Sequence, residues 1–154
     1  MSNRLATIEA RLSDDLTRRT PSQLRRIAAA AALLAIGRTG LSDPRLNDAL
    51  FLLRSGNSGK DEQWVVDRLT EELDEKAWDT QDQADAGNVS KQVHLEMFSR
   101  ARAAASVGFA LGGNPLESAL EAVYEAYAAI GDLDAIKSVI RLALEESATL
   151  SFCG

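Results

Sequence analysis

The sequence predicts an all-α protein, a single-domain bundle of about seven helices over residues 1–154, and three observations carry that reading. Apolar residues recur at spacings of three and four along most of the chain. Start and stop signals bracket each such run, and no window of β-branched alternation competes with them. A chain of 154 residues can bury a core without disulfides or metals, and 45% hydrophobic content argues for folding over disorder.

Leu5, Ile8, Leu12 and Leu16 form the stripe of a first helix. Thr20, Pro21 and Gln23 make a capping box with proline at the first helical position. The second helix opened there carries Leu24, Ile27, Ala28, Ala31, Leu34 and Ala35 inward and is expected to stop at Gly37. A third begins near Ser42, Asp43 and Pro44 and ends at Gly56. The fourth, long and acidic, covers Asp61 to Ala86 and is closed by Gly87 and Asn88. Ser90 caps a fifth that runs to Leu111, Asn114 and Pro115 open a sixth, and Gly131 with Asp132 separates it from a seventh that fades near Ser147.

Ala101, Ala104, Ala105 and Gly108 line one side of the fifth helix, which lets a neighbour approach closely and places that helix at the centre. The sixth and seventh helices share one tight turn and are expected to form an antiparallel hairpin. Tyr127, Gly131, Ile140 and Ala143 there resemble the second half of a tetratricopeptide-type unit. The resemblance covers a single hairpin of about thirty residues, has its post-turn alanine one place early at Ala135, and finds no second copy elsewhere.

The net charge of −6 is unevenly spread: residues 1–55 carry nine basic and five acidic side chains, and residues 56–154 carry eight and eighteen. Such a chain is a poor general polyanion binder, whereas its acidic part steers basic partners at low ionic strength. Ile27 to Ile36 is the longest apolar run, ten residues, half of a membrane span. Arg18, Arg19, Arg25 and Arg26 precede it in the order of a signal peptide, but Glu9, Asp14 and Asp15 spoil the basic leader, so a cytoplasmic location is expected. Cys153 is the sole cysteine, so no internal disulfide forms.

Several constellations approach known chemistry and stop short. Gly56, Asn57, Ser58, Gly59 and Lys60 have only two residues between the glycines, Asp61 where Ser or Thr is needed, and a helix before them instead of a strand, which makes a polar turn and not a phosphate loop. A structural zinc site takes four ligands, and His94 and Cys153 are the only imidazole and thiol. His94 lies among Met97, Phe98 and Ala101 with no acid three or four residues away to orient it, the setting of a half-buried packing residue with one hydrogen bond. Glu71, Glu72, Glu75, Asp79, Asp82 and Asp85 give the best enzyme argument. They resemble one of the paired acidic motifs by which all-α nucleotide pyrophosphatases hold Mg²⁺, but the next helix offers only Glu96. Glu117, Glu121 and Glu125 form a second acidic stripe on the sixth helix. Arg4, Arg11 and Arg18 at heptad spacing, with Arg25 and Arg26, are the material for a nucleic-acid surface, or for a short dimer seam beside Leu5 and Leu12. No cofactor and no bound metal are expected.

The tryptophans carry most information. On the fourth helix Val65, Val66, Leu69, Leu73 and Ala77 fall within about 120° of one another, while Trp64 and Trp78 point the other way, among Asp67, Glu71, Asp74, Glu75, Asp82 and Asp85. Either the helix is sandwiched, with both rings packed on terminal helices, or the rings anchor a partner inside an acidic rim. The second reading predicts a non-catalytic interaction protein of the immunity, antitoxin or adaptor type, whose fourth and sixth helices face a basic protein. A Mg²⁺-dependent nucleotide hydrolase and an arginine-surfaced nucleic-acid binder are the alternatives.

Overall fold

Seven α-helices enclose one alanine-rich core in the computed structural model, which describes the backbone of residues 3–153 and the side chains of residues 3–145. They are α1 (Ala10–Thr17), α2 (Pro21–Thr39), α3 (Asn47–Arg54), α4 (Lys60–Asp85), α5 (Lys91–Ala110), α6 (Pro115–Ile130) and α7 (Leu133–Cys153). Short 3-10 turns precede α1 and α3 at Leu5–Thr7 and Pro44–Leu46. No strand occurs among the described residues, and no helix there is long and apolar enough to cross a membrane.

The local signals act as their chemistry requires. Thr20 accepts from the Gln23 amide while Gln23 accepts from the Thr20 amide, a reciprocal capping box with Pro21 at the first helical position. Ser90 and Asn114 each accept from the amide three residues on, and so open α5 and α6. Gly131, at φ +65°, ends α6 in the left-handed region that only glycine enters freely.

Four boundaries differ from the sequence expectation. The first helix is broken: Glu9 adopts an extended conformation, accepts from the Arg11 amide and receives Lys137 of α7 at 2.9 Å, so α1 starts only at Ala10. The second helix runs through Gly37 and stops at Gly40 (φ +69°), because an interior glycine merely weakens a helix whereas a left-handed one closes it. Asp43 caps the 3-10 turn at Pro44–Leu46 instead of the third helix itself. The seventh helix passes Ser147 and reaches Cys153, whose side chain lies outside the described ones.

Packing places α5 at the centre, against α4, α6 and α2, as its small residues predict. Ala101, Ala103, Ala104, Val107 and Ala110 are buried there, and buried Ser106 donates to the Ala122 carbonyl of α6 at 2.7 Å, so the crossing holds no orphaned hydroxyl. Gly108 lies against Asp67 and Val66 of α4: a Cβ there would come within 2.6 Å of the Asp67 carboxylate. The expected α6–α7 hairpin is only nominal, since α7 leaves the Gly131 turn and packs chiefly on α2, burying Ile136 and Ile140. Side-chain spacing alone resembled a tetratricopeptide hairpin because the same small and apolar residues serve a different neighbour. Leu5 and Leu12 are buried in the protein's own core.

Candidate interaction face on the acidic helix

The 26 residues of α4 make a helix about 39 Å long at 1.5 Å per residue. Its ten acidic and three basic side chains give it a net charge of −7, more than the whole chain carries. Asp61 and Glu62 in the first turn suit the positive end of the helix dipole. Val66, Leu69, Leu73 and Ala77 are buried, at the spacing predicted for the core stripe. No residue from 78 to 100 is buried, so the distal half of the α4–α5 hairpin stands clear of the core.

Trp64 and Trp78 are 62% and 67% exposed. Separated by fourteen residues, they lie within about 40° of each other around the helix and about 21 Å apart along it. This decides between the sandwiched and open helix: neither ring is packed under a terminal helix. The Arg68 guanidinium, one turn on, lies 5.3 Å from the Trp64 ring centroid. Trp78 borders a hollow of about 440 Å³ between α4 and α5, together with Gln81, His94, Phe98 and Arg102. There the half-buried His94 donates from Nδ1 to the Ala77 carbonyl at 3.1 Å, the single hydrogen bond its sequence context predicts. Phe98, Val93 and Leu95 of α5 are also exposed, so aromatic and aliphatic surface continues from Trp78 onto the neighbouring helix.

The acids of this face fall into two groups. Glu71, Glu75, Asp82 and Asp85 are exposed and make no ion pair among the described residues. Asp67 is exposed as a residue, but its carboxylate abuts Gly108; the resulting desolvation, with the nearby Glu71 charge second, raises its pKa. Asp74 turns inward and accepts from Arg102 at 2.6 Å. A raised pKa means that the folded state binds the Asp67 proton more tightly, so stability falls as pH rises from the unfolded pKa through the folded one. Asp67→Asn is therefore expected to leave the protein as stable or slightly more stable at pH 7, and to flatten that part of the pH–stability profile in urea titrations. A loss of stability at pH 7 would mean that the carboxylate has a favourable partner.

The sequence reading missed the buried ion network behind this face. Glu125, 1% exposed, accepts from Arg102 at 2.9 Å and from Arg4 at 2.9 Å, and Arg4 also bonds Glu121. The chain Arg4–Glu125–Arg102–Asp74 thus ties the N-terminal segment, α6, α5 and α4 together. Desolvation works against the Arg102 charge, yet the hydrogen bond to Asp74 and the pull of Glu125 hold its pKa above the ordinary value. In the acidic stripe of the sixth helix, Glu121 and Glu125 are thus occupied internally, and Glu117 remains exposed. A signal was present: Glu125 falls in the spacing of Ser118, Ala122 and Ala129, all buried. Outside this network, Glu72 pairs with Arg45 at 2.8 Å.

Compared with known proteins, the chain matches no family model, no curated protein and no solved structure. Among the described residues, no three carboxylate, imidazole or thiol groups converge as metal ligands would. The N-terminal arginines are also partly committed, because Arg4 serves Glu121 and Glu125, and Arg25 donates to the Gly112 and Gly113 carbonyls beyond the end of α5.

Proposed function

We propose that this protein is a non-catalytic interaction module that binds a basic protein through the Trp64 and Trp78 face of α4, in the manner of a small acidic neutralising protein or an adaptor. The observation that carries the reading is the exposure of two tryptophans along one line of a helix whose opposite side is buried. A tryptophan left in water forgoes roughly 3 to 5 kcal/mol of burial, so two of them on one line form a surface suited to being covered. Glu71, Glu75, Asp82 and Asp85 then act as the rim. They raise the encounter rate with a positive surface and disfavour acidic competitors.

Supporting features differ for the alternatives. A metal-dependent hydrolase needs a second acidic cluster facing α4, and α5 supplies Arg102 there instead. A nucleic-acid surface needs the N-terminal arginines free, and two of the five have intramolecular partners. The test is capture from the native host, with bound protein identified by mass spectrometry. A partner with a basic docking surface is expected, released by salt over the range in which the Debye length falls from about 10 Å to about 3 Å. Equal recovery of the same protein by a Trp64→Ala, Trp78→Ala double variant would overturn the assignment of the face.

A further inference from the structure

A groove of about 680 Å³ opens between α2, α3 and α7, away from the acidic face. Among the described residues, every charged one lining it is an arginine: Arg25, Arg26 and Arg54. In a chain with 23 acidic and 17 basic residues, a concavity whose described lining holds three arginines and no carboxylate is a local inversion of the overall charge. Arg25 is held by the Gly112 and Gly113 carbonyls, whereas the side chains of Arg26 and Arg54 make no ion pair or hydrogen bond among the described residues. Ser22 lines the same groove from the first turn of α2, where a backbone N–H has no partner within the helix and the dipole is positive. Ala29, Ala30, Leu33, Leu53 and Ala143 make the floor, and the described residues there are aliphatic and offer no ring on which a nucleobase could stack.

We propose that this groove binds an organic phosphate monoester with an aliphatic body, its phosphate between Arg26, Arg54 and the start of α2 and its carbon chain on the alanine and leucine floor. Two uncommitted guanidiniums match a dianion better than a singly charged carboxylate, and their fork geometry suits phosphate oxygens. The alanines of α2 leave the floor low enough for the chain, and each buried methylene adds affinity. The phosphate can belong to a soluble metabolite or to a lipid headgroup, which share this chemistry.

The test is calorimetric titration of the full chain with hexyl phosphate, butyl phosphate, inorganic phosphate and hexanoate, with amide shifts of Ser22, Ser55 and Gly56 followed by NMR. Hexyl phosphate is expected to bind severalfold more tightly than butyl phosphate and more tightly than inorganic phosphate or hexanoate. Arg26→Gln and Arg54→Gln are each expected to weaken it tenfold or more, whereas Ala30→Leu removes the dependence on chain length. Trp64→Ala with Trp78→Ala is expected to leave this binding unchanged, which separates the groove from the interaction face. Vesicles of phosphatidylcholine with and without phosphatidic acid distinguish the sources: sedimentation that requires phosphatidic acid and Arg26 assigns a headgroup, and none assigns a soluble ester. Hexanoate binding as tightly as hexyl phosphate, equal binding of inorganic phosphate, insensitivity to both arginine variants, or no saturable binding would each overturn the proposal.

Discussion

Replacing Glu125 with alanine is expected to destabilise the protein by about 3 to 5 kcal/mol, the range for removing one partner from a buried ion pair. Its carboxylate receives Arg102 on one oxygen and Arg4 on the other, and its side chain is 2% exposed. Without it the Arg102 guanidinium, 19% exposed and already carrying a buried Nε without a partner, keeps only Asp74. The Arg4 end suffers less, because Arg4 is largely exposed, retains Glu121 and lies 4.2 Å from the Tyr124 ring centroid. In urea unfolding the midpoint should drop with the slope preserved, since the loss belongs to the native state. Glu117→Ala, one exposed position in the same acidic stripe, should change stability by less than about 0.5 kcal/mol. A double variant Arg102→Met, Glu125→Leu should recover much of the loss, because it removes both charges together. A Glu125→Ala cost below about 1 kcal/mol would show that water reaches the network and that the four elements are not tied through it.

Trp64→Ala and Trp78→Ala should behave in the opposite way, leaving the free protein intact and damaging recognition. With 62% and 67% of their surface open, each truncation should cost less than about 1 kcal/mol of stability, as surface substitutions do. A core tryptophan would cost roughly 3 to 5 kcal/mol. Emission should be red-shifted and readily quenched by acrylamide. With the native partner, each truncation should weaken binding by about 2 kcal/mol or more, roughly thirtyfold, as for an aromatic anchor. Glu75→Gln and Asp82→Gln should act mainly on the association rate, and added salt should abolish that effect. Blue-shifted, protected emission with a large stability loss would place the rings in a core contact and remove the basis of the proposed face.

Which parts of this molecule were legible in the chain follows from the range of the interactions involved. Caps, left-handed glycines and apolar stripes are local, set within four or five residues, so the number of helices, most of their ends and the inward stripe of α4 could be read directly. The opposed direction of Trp64 and Trp78 was equally determined, because helical periodicity alone places them away from Leu69 and Leu73. Their exposure was not. Whether a neighbour covers an outward side depends on where the other six helices pack, and α4 meets chiefly α5.

Tertiary structure likewise decided the fate of the charges. Glu121, Glu125 and Asp74 carry the same side-chain chemistry as Glu71 and Asp82, and only the arrival of Arg4 and Arg102 from distant parts of the chain converts the first three from surface acids into an internal network. The same holds for Arg25, drawn to carbonyls 87 and 88 residues away, and for Arg26 and Arg54, which no carboxylate among the described residues reaches. The helices and their faces are therefore properties of the sequence by itself. Which faces are covered and which charges are neutralised is a property of the packing, because a desolvated ion or ring is defined by neighbours that sequence spacing does not specify.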